Sequence, residues 1–265
     1  MSARRKTPPP LKVEAIAASL RNSAVGHRIL YLPVVTSTMD IARQEAERGA
    51  AEGTVVVAEE QTVGRGRLGR RWLTSPNQNL AFSVLLYPSH RTCARLSTVT
   101  PVAVLRAITK VAGLSATLKW PNDVRLGEKK VCGILIEAAF QDSQVRHAIL
   151  GIGINVNSNP AEDPQADFAA TSLAAELGKP VSREEVLQAI LTELGLAYTH
   201  LREWDRVWDD WRSSLETIGK RVQVRWGDHL EEGVAEDVDS EGNLLLRRAD
   251  GTLVALAAGE VTFQL

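Results

Sequence analysis

Two consecutive hairpins in the middle of the chain do most to restrict its fold. Gly127-Glu128-Lys129-Lys130 is a turn leading into the apolar run Val131-Cys132-Gly133-Ile134-Leu135-Ile136-Glu137, and residues 145–156 return as its partner. Tight turns join antiparallel neighbours, so the chain must build a mixed, largely antiparallel sheet. Apolar residues at helical spacing predict helices over 11–21, 37–49, 96–111, 183–203 and 205–213. Packed on one side of that sheet, they give an α+β layer architecture. Trp204, Trp208 and Trp211 recur at spacings of four and three, which is helix-core packing. Glycine weakens a strand interior, so Gly133, Gly151 and Gly153 require a reason, and a flat wall beside a ligand is one.

After Gly219 the period changes to two. Short strands are predicted over 221–226, 232–237, 244–248 and 253–256, separated by Gly227-Asp228, Ser240-Glu241-Gly242 and Asp250-Gly251. This reads as a small separate β-barrel. The chain therefore divides into a tail and short helix (1–27), a main domain (28–218) and a C-terminal barrel (219–265). Residues 158–171, polar and with Pro160 and Pro164, read as a mobile loop.

The densest chemistry lies in Gly64-Arg65-Gly66-Arg67-Leu68-Gly69-Arg70-Arg71-Trp72, which follows the strand-like run Val55-Val56-Val57-Ala58. Guanidinium groups offer planar, permanently charged donors for phosphate and carboxylate, and glycine lets backbone approach a ligand closely. Gly64-x-Gly66-x-x-Gly69 satisfies the bare dinucleotide fingerprint, but Trp72-Leu73-Thr74-Ser75-Pro76-Asn77 is no helix start. No glycine-Lys-Ser/Thr phosphate loop is present either. Like charges repel, so the segment is expected to be mobile when empty and ordered by ligand.

Two more strand ends join it. Lys119-Trp120-Pro121-Asn122-Asp123 places a cation, an amide and a carboxylate at a rim, because proline stops the apolar run. Lys130 stands at the mouth of the next strand. Ser37 and Asp40 form a capping box, with Thr38 turned to a polar ligand. Several fixed cations around a carboxylate suit nucleotide-dependent activation of an acid, where positioning and charge stabilisation dominate. Magnesium would bridge phosphates and Asn122 or Asp123.

Net charge is -1, so the arginines are a local site on a balanced protein rather than part of a nucleic-acid surface. Cys93 and Cys132 lie far apart, and the five histidines are scattered, which fits free thiols in a cytoplasmic protein without zinc. Arg4, Arg5 and Lys6 precede no apolar stretch, so neither a signal peptide nor a membrane span is expected.

In order along the chain, the arginine-glycine segment, Lys119-Trp120-Pro121-Asn122-Asp123, Lys130-x-x-Gly133-Ile134-Leu135-x-Glu137 and Gly151-Ile152-Gly153-Ile154-Asn155 resemble the motifs of biotin protein ligases. The resemblance runs from about Ile29 to the C-terminus. It implies a class II synthetase-like catalytic domain and an SH3-like barrel. It also implies a two-step ligase: biotin and ATP give biotinyl-5'-AMP, and a lysine of a biotin carboxyl carrier protein, of acetyl-CoA carboxylase or a related carboxylase, takes the biotin. Under it Ser37, Thr38 and Gln61 bond the ureido ring, with Gly64 and Arg65 nearby. Gly133 and Gly153 let the sheet lie close to the ligand. Arg65, Arg67, Arg70, Trp72, Lys119, Asn122 and Asn155 surround ATP and the adenylate, with Trp72 packed under the loop. Lys130, Arg67 and Asp123 are the catalytic set: Lys130 bonds biotin's carboxyl oxygens and the phosphoryl oxygens that gain charge, and Asp123 orients the incoming lysine. Mg2+ arrives with ATP, and no tightly bound metal is expected. Two departures stand out. Met39 replaces the family's usual asparagine, and only a short helix precedes the catalytic start, which implies a ligase without its own repressor activity or specific DNA site. A homodimer stays open. The rivals are a lipoate or octanoate ligase, for which Ser37, Thr38 and Gln61 lose their purpose, and a nucleic-acid-binding module, which the net charge opposes.

Overall fold

Strands β1 (Arg28–Val35) and β2 (Thr54–Gln61) pair in parallel, with α2 (Thr38–Glu47) crossing between them. Residues 9–158, 169–199 and 204–264 are described in the computed structural model; most of the expected loop at 158–171 and most of the N-terminal tail lie outside them. Antiparallel neighbours follow: β3 (Leu80–Leu86), then the hairpin of β6 (Lys129–Gln141) and β7 (Gln144–Ile154), then β5 (Asp123–Leu126) and β4 (Thr117–Lys119). The order is β1-β2-β3-β7-β6-β5-β4, so the sheet is mixed and largely antiparallel.

Alternation along the central strands covers both faces of the sheet. Val55, Val57, Val84, Leu86 and Leu150 join the large core, while Val56, Leu85 and Ile149 turn to the other face. On the large-core face lie α1 (Val13–Ser19), α3 (His90–Ala112), α5 (Arg183–Thr199) and α6 (Trp204–Ser214). The expectation of helices on one side is thereby corrected: Met39 and Ala42 of α2 bury themselves on the opposite face. A short α4 (Leu173–Leu177) comes next after β7 in the chain and adds Leu173 to the large core.

Helix α3 begins six residues before the expected start. Ser89 caps it by accepting from the Thr92 N–H at 3.2 Å, and the polar first turn hides the apolar period. It stops at Gly113, which takes the left-handed conformation (φ 64°). The tryptophans of α6 pack as their spacing implies, with ring centroids 5.9 Å and 5.1 Å apart. No helix among the described residues is long and apolar enough to cross a membrane.

The proline of the 116–124 run separates two strands, β4 and β5. A turn at Trp120-Pro121-Asn122, with a cis Trp120–Pro121 bond, pairs Lys119 with Asp123. Trp120 is buried, donating its indole N–H to the Gly242 carbonyl at 3.0 Å, so it packs the main sheet against the C-terminal one.

The C-terminal unit has five strands: β8 (Arg221–Trp226), β9 (His229–Val238), β10 (Leu244–Arg247), β11 (Leu253–Leu256) and β12 (Glu260–Phe263), in the order β11-β10-β9-β8-β12. The expected barrel is not closed, since no ladder joins β11 to β12 among the described residues. Those edges are nevertheless linked by residues 257–259 alone. Four strand spacings span roughly 19 Å when flat, against about 14 Å for the extended link, so the sheet must curl strongly.

Candidate active site

Sheet register creates the site. Lys119, Asp123, Gly133, Gly153, Ala81 and Ala58 are successive cross-strand partners, so they form one row on one face. The four positions after Asp123 carry no side chain beyond a methyl, and the β4 and β5 end of the row is ionic. The next row on the same face reads Leu135, Gly151, Ser83, Val56. Small residues hollow the sheet, and a cavity of about 350 Å³ opens there beside the start of α2.

At one end lie the polar groups expected for a ureido ring. Ser37 caps α2, accepting from the Met39 N–H at 3.3 Å, which leaves its hydroxyl proton free to donate. Gln61 Oε1 accepts from the Thr38 N–H (2.8 Å) and hydroxyl (3.1 Å). The Thr38 hydroxyl proton is thus committed, so at 2.8 Å it accepts from Ser83. With its oxygen filled, Gln61 has only its NH2 to offer the cavity. Met39, where the related motif has asparagine, is buried against Gly151: a Cβ there would meet its sulfur at 2.7 Å. The expected capping box does not close through Asp40, whose carboxylate accepts from Arg65 at 2.7 Å and Arg43 at 3.1 Å.

The arginine-glycine segment folds back over the cavity. Arg65 bridges to Arg71, Gly66 N–H donates to Arg70 O (2.8 Å), and Trp72 N–H donates to Gly64 O (3.0 Å). A side chain at Gly64 would come within 2.3 Å of the Trp72 carbonyl, so glycine is required there. The close approach predicted for the in-strand glycines is made by Trp72 itself. A Cβ on Gly153 would lie 2.2 Å from its indole Cε2, and one on Gly133 would lie 2.9 Å from Cζ3. Trp72 therefore lies across the sheet wall rather than only under its own loop.

At the other end the cations gather. Lys130 Nζ is 2.6 Å from Asp123 Oδ1. Arg67 donates to Asn122 Oδ1 (3.0 Å) and to the Gly259 carbonyl (3.3 Å), while Arg70 pairs with Glu260. Burial lowers the Arg67 pKa against the raising effect of Asp123 and Glu260, and burial likewise lowers that of Lys119. Like-charge repulsion within the segment is offset by acids brought from α2, β6 and β12.

Ser37, Thr38, Gln61, Arg65, Arg67, Arg70, Trp72, Lys119, Asn122, Asp123, Lys130, Gly133 and Gly153 all line this one cavity. Gly64 does not line it; this buried glycine lines a neighbouring hollow that the segment forms with Leu135 and Glu137. Asn155 is not brought in. Its amide is buried between Asn79 (3.3 Å) and the Thr171 carbonyl (3.1 Å), holding the end of β7. The residues do not fit a protein-held magnesium ion. Asn122 Oδ1 is taken by Arg67 and Asp123 by Lys130, and no group of three His, Cys, Asp or Glu residues suited to a metal occurs among the described residues. Sequence reading missed Ser83, Arg43, Glu260 and Gly259, whose roles depend on long-range register, and Glu137 as a partner of Arg65.

A trough in a mixed sheet, roofed by an arginine-glycine segment and ended by fixed cations, defines the class of enzymes that activate an acid with a nucleotide. Residues 31–155 match the biotin/lipoate A/B protein ligase family, and 217–263 match the biotin protein ligase C-terminal domain. The bifunctional ligase/repressor BirA of Bacillus subtilis is 34% identical over 253 residues, covering 93% of this chain and 77% of that protein. The biotin–[acetyl-CoA-carboxylase] ligase of Mycobacterium tuberculosis is 32% identical and covers 98% of both chains. The biotin protein ligase of Aquifex aeolicus, solved with biotin and ATP, superposes with a TM-score of 0.75 at 31% identity, covering 89% of this chain and 98% of that one. The chain belongs to the biotin/lipoate A/B protein ligase family, in its biotin protein ligase branch.

Proposed function

We propose that this chain joins biotin to ATP, releasing pyrophosphate, and passes the biotinyl group from biotinyl-5'-AMP to a lysine of a biotin carboxyl carrier domain. The observation that carries the reading is the row Lys119-Asp123-Gly133-Gly153, which puts an ionic end and a side-chain-free wall in one cavity. Ser37, Thr38 and Gln61 would bond the ureido ring, with Gly64 and Arg65 beside it. The acid tail would then run along the trough toward Lys130.

In the first step a biotin carboxylate oxygen attacks the α-phosphorus, and the bond to the pyrophosphate oxygen breaks. Lys130, Arg67, Arg70 and Lys119 would hold the oxygens that gain charge; fixed cations of this kind cost no reorganisation in the transition state. In the second step a neutral lysine amine attacks the anhydride carbonyl, AMP leaves with the C–O electron pair, and the nitrogen loses a proton. Asp123, 2.6 Å from the Lys130 ammonium, would accept an N–H of the incoming amine and so orient it. Trp72 and Asn122 complete the adenylate side. Mg2+ would come as the counter-ion of ATP, held by phosphate oxygens. The acceptor class follows the name of the Mycobacterium tuberculosis relative. Helix α1 contributes Val13 and Ile16 to the main core, which supports a structural rather than a DNA-reading part for it.

The test is mass spectrometry of a carrier domain incubated with the protein, ATP, Mg2+ and an equimolar mixture of biotin and lipoate. A single lysine gaining one biotinyl group is expected; a lipoyl group would move the chain to the rival branch, and an unmodified carrier would remove the transfer step.

A further inference from the structure

We propose that Asp40, Glu137 and Arg43 form a latch that positions the arginine-glycine segment by holding Arg65. Four charges alternate in a ring. Arg65 Nη1 is 2.7 Å from Asp40 Oδ1, and Arg65 Nη2 is 3.7 Å from Glu137 Oε1. Arg43 closes the ring, with its Nη1 3.1 Å from the same Asp40 oxygen and its Nη2 2.6 Å from Glu137 Oε2. Asp40 and Arg43 stand one turn apart on α2. Glu137 lies on β6, on the face that carries Gly133 and Leu135, because strand residues two apart share a face.

The ring connects the segment to the two elements that define the cavity. Arg65 is bridged to Arg71, and Trp72 follows on the same return strand, so fixing Arg65 fixes the indole that lies on Gly133 and Gly153. Arg67 and Arg70 are anchored elsewhere, on Asn122, Gly259 and Glu260. Arg65 is therefore the tie between the segment and the α2–β6 side. Its Nε and Nη2 are buried without a hydrogen-bond partner among the described residues, so the tie leaves donors for what the cavity takes. Arg43 is needed because two acids serving one guanidinium would otherwise leave a surplus negative charge beside it. These are positioning residues, acting through Arg65, and their catalytic consequence rests on the ligase reading above.

The test compares wild type, Asp40→Asn/Glu137→Gln, Arg65→Ala and the triple variant. Hydrogen exchange at residues 62–73, measured without ligand, is expected to speed up about tenfold in the double variant and in Arg65→Ala, as for two partly exposed ion pairs. Exchange within β6 and β7 should stay as in wild type, which separates the latch from general loosening. The triple variant should add less than about twofold, because groups acting through one interaction are not additive. In biotin-dependent pyrophosphate exchange, the biotin KM of the double variant should rise about tenfold with kcat within about threefold, the pattern of lost binding order rather than lost chemistry. Unchanged exchange at 62–73 in the double variant, or additive effects in the triple, would overturn the latch. Wild type that ignores biotin while the hydrogen-exchange pattern holds would instead overturn the ligase reading and leave the latch standing.

Discussion

Gly133 faces Gly153 directly across β6 and β7, and the indole of Trp72 lies on the pair. A single methyl at Gly153 would stand 2.2 Å from the ring, far inside van der Waals contact. Gly153→Ala should therefore lower stability by about 1–3 kcal/mol, the usual cost of overpacking, and weaken biotin binding. Adding Trp72→Ala should return most of the stability without restoring binding. Urea unfolding of the two variants beside wild type checks this, and a wild-type midpoint for Gly153→Ala would contradict it.

Asp123 is predicted to matter more for transfer than for activation. Asp123→Asn keeps the shape and removes the carboxylate charge that would orient the incoming lysine. Single-turnover transfer from preformed adenylate should fall by about 10²-fold, in the range of lost acid–base or orienting groups. Adenylate formation should fall by less than about tenfold. Equal losses in both steps would mean that Asp123 serves only to set Lys130.

Asn155 separates the family resemblance from the geometry. Its amide bonds Asn79 and the Thr171 carbonyl, away from the cavity. Asn155→Ala should cost about 1–3 kcal/mol, as when buried partners are left unsatisfied. The KM for ATP in pyrophosphate exchange should not move. A raised KM with unchanged stability would return Asn155 to the nucleotide.

Stability should fall at both ends of the pH scale through one buried cluster. Arg183 Nη1 is 2.6 Å from Glu59 Oε2, and Tyr31 donates its hydroxyl to Glu59 Oε1 at 2.7 Å. Burial pushes the Glu59 pKa up, but bonds from Arg183 and Tyr31 outweigh it and hold it below the ordinary value. Its contribution is present above the unfolded-state pKa and is lost as pH falls through the depressed folded one. Burial, then the bond to Glu59, pushes the Tyr31 pKa up to about 12. That contribution is present below the unfolded-state pKa and is lost as pH rises through the folded one. Glu59→Gln should cost about 3–5 kcal/mol near neutrality, since it leaves Arg183 buried and unpaired, and should flatten the acid limb of a stability–pH curve.

What the sequence revealed divides by range. The β6–β7 hairpin, the cap at Ser37 and the stop at Gly113 are local patterns, and each lies where residue order places it. The roof of the site was legible only in part. Repulsion among Arg65, Arg67, Arg70 and Arg71 could be counted from sequence, but Asp40 and Glu260, 25 and 190 residues away from their partners, could not. Met39 looked like a lost polar contact and is instead the side chain that fills the hollow at Gly151. The row of small residues was legible only in its glycines: Ala58 and Ala81 join Gly153 and Gly133 only through strand register. Asn155 shows the reverse case, a motif residue whose side chain the fold turns to its own support.

The central claim is that Lys130 and the cations around it activate biotin's carboxylate at the α-phosphorus of ATP. Biotin-dependent exchange of labelled pyrophosphate into ATP, with Mg2+ and no acceptor, measures that step alone. Wild type should exchange with biotin and not with lipoate, and Lys130→Ala should fall by at least about 10²-fold, as for the loss of one preorganised charge at a developing anion. Exchange in wild type that persists at full rate in Lys130→Ala, or that requires no biotin, would contradict the account.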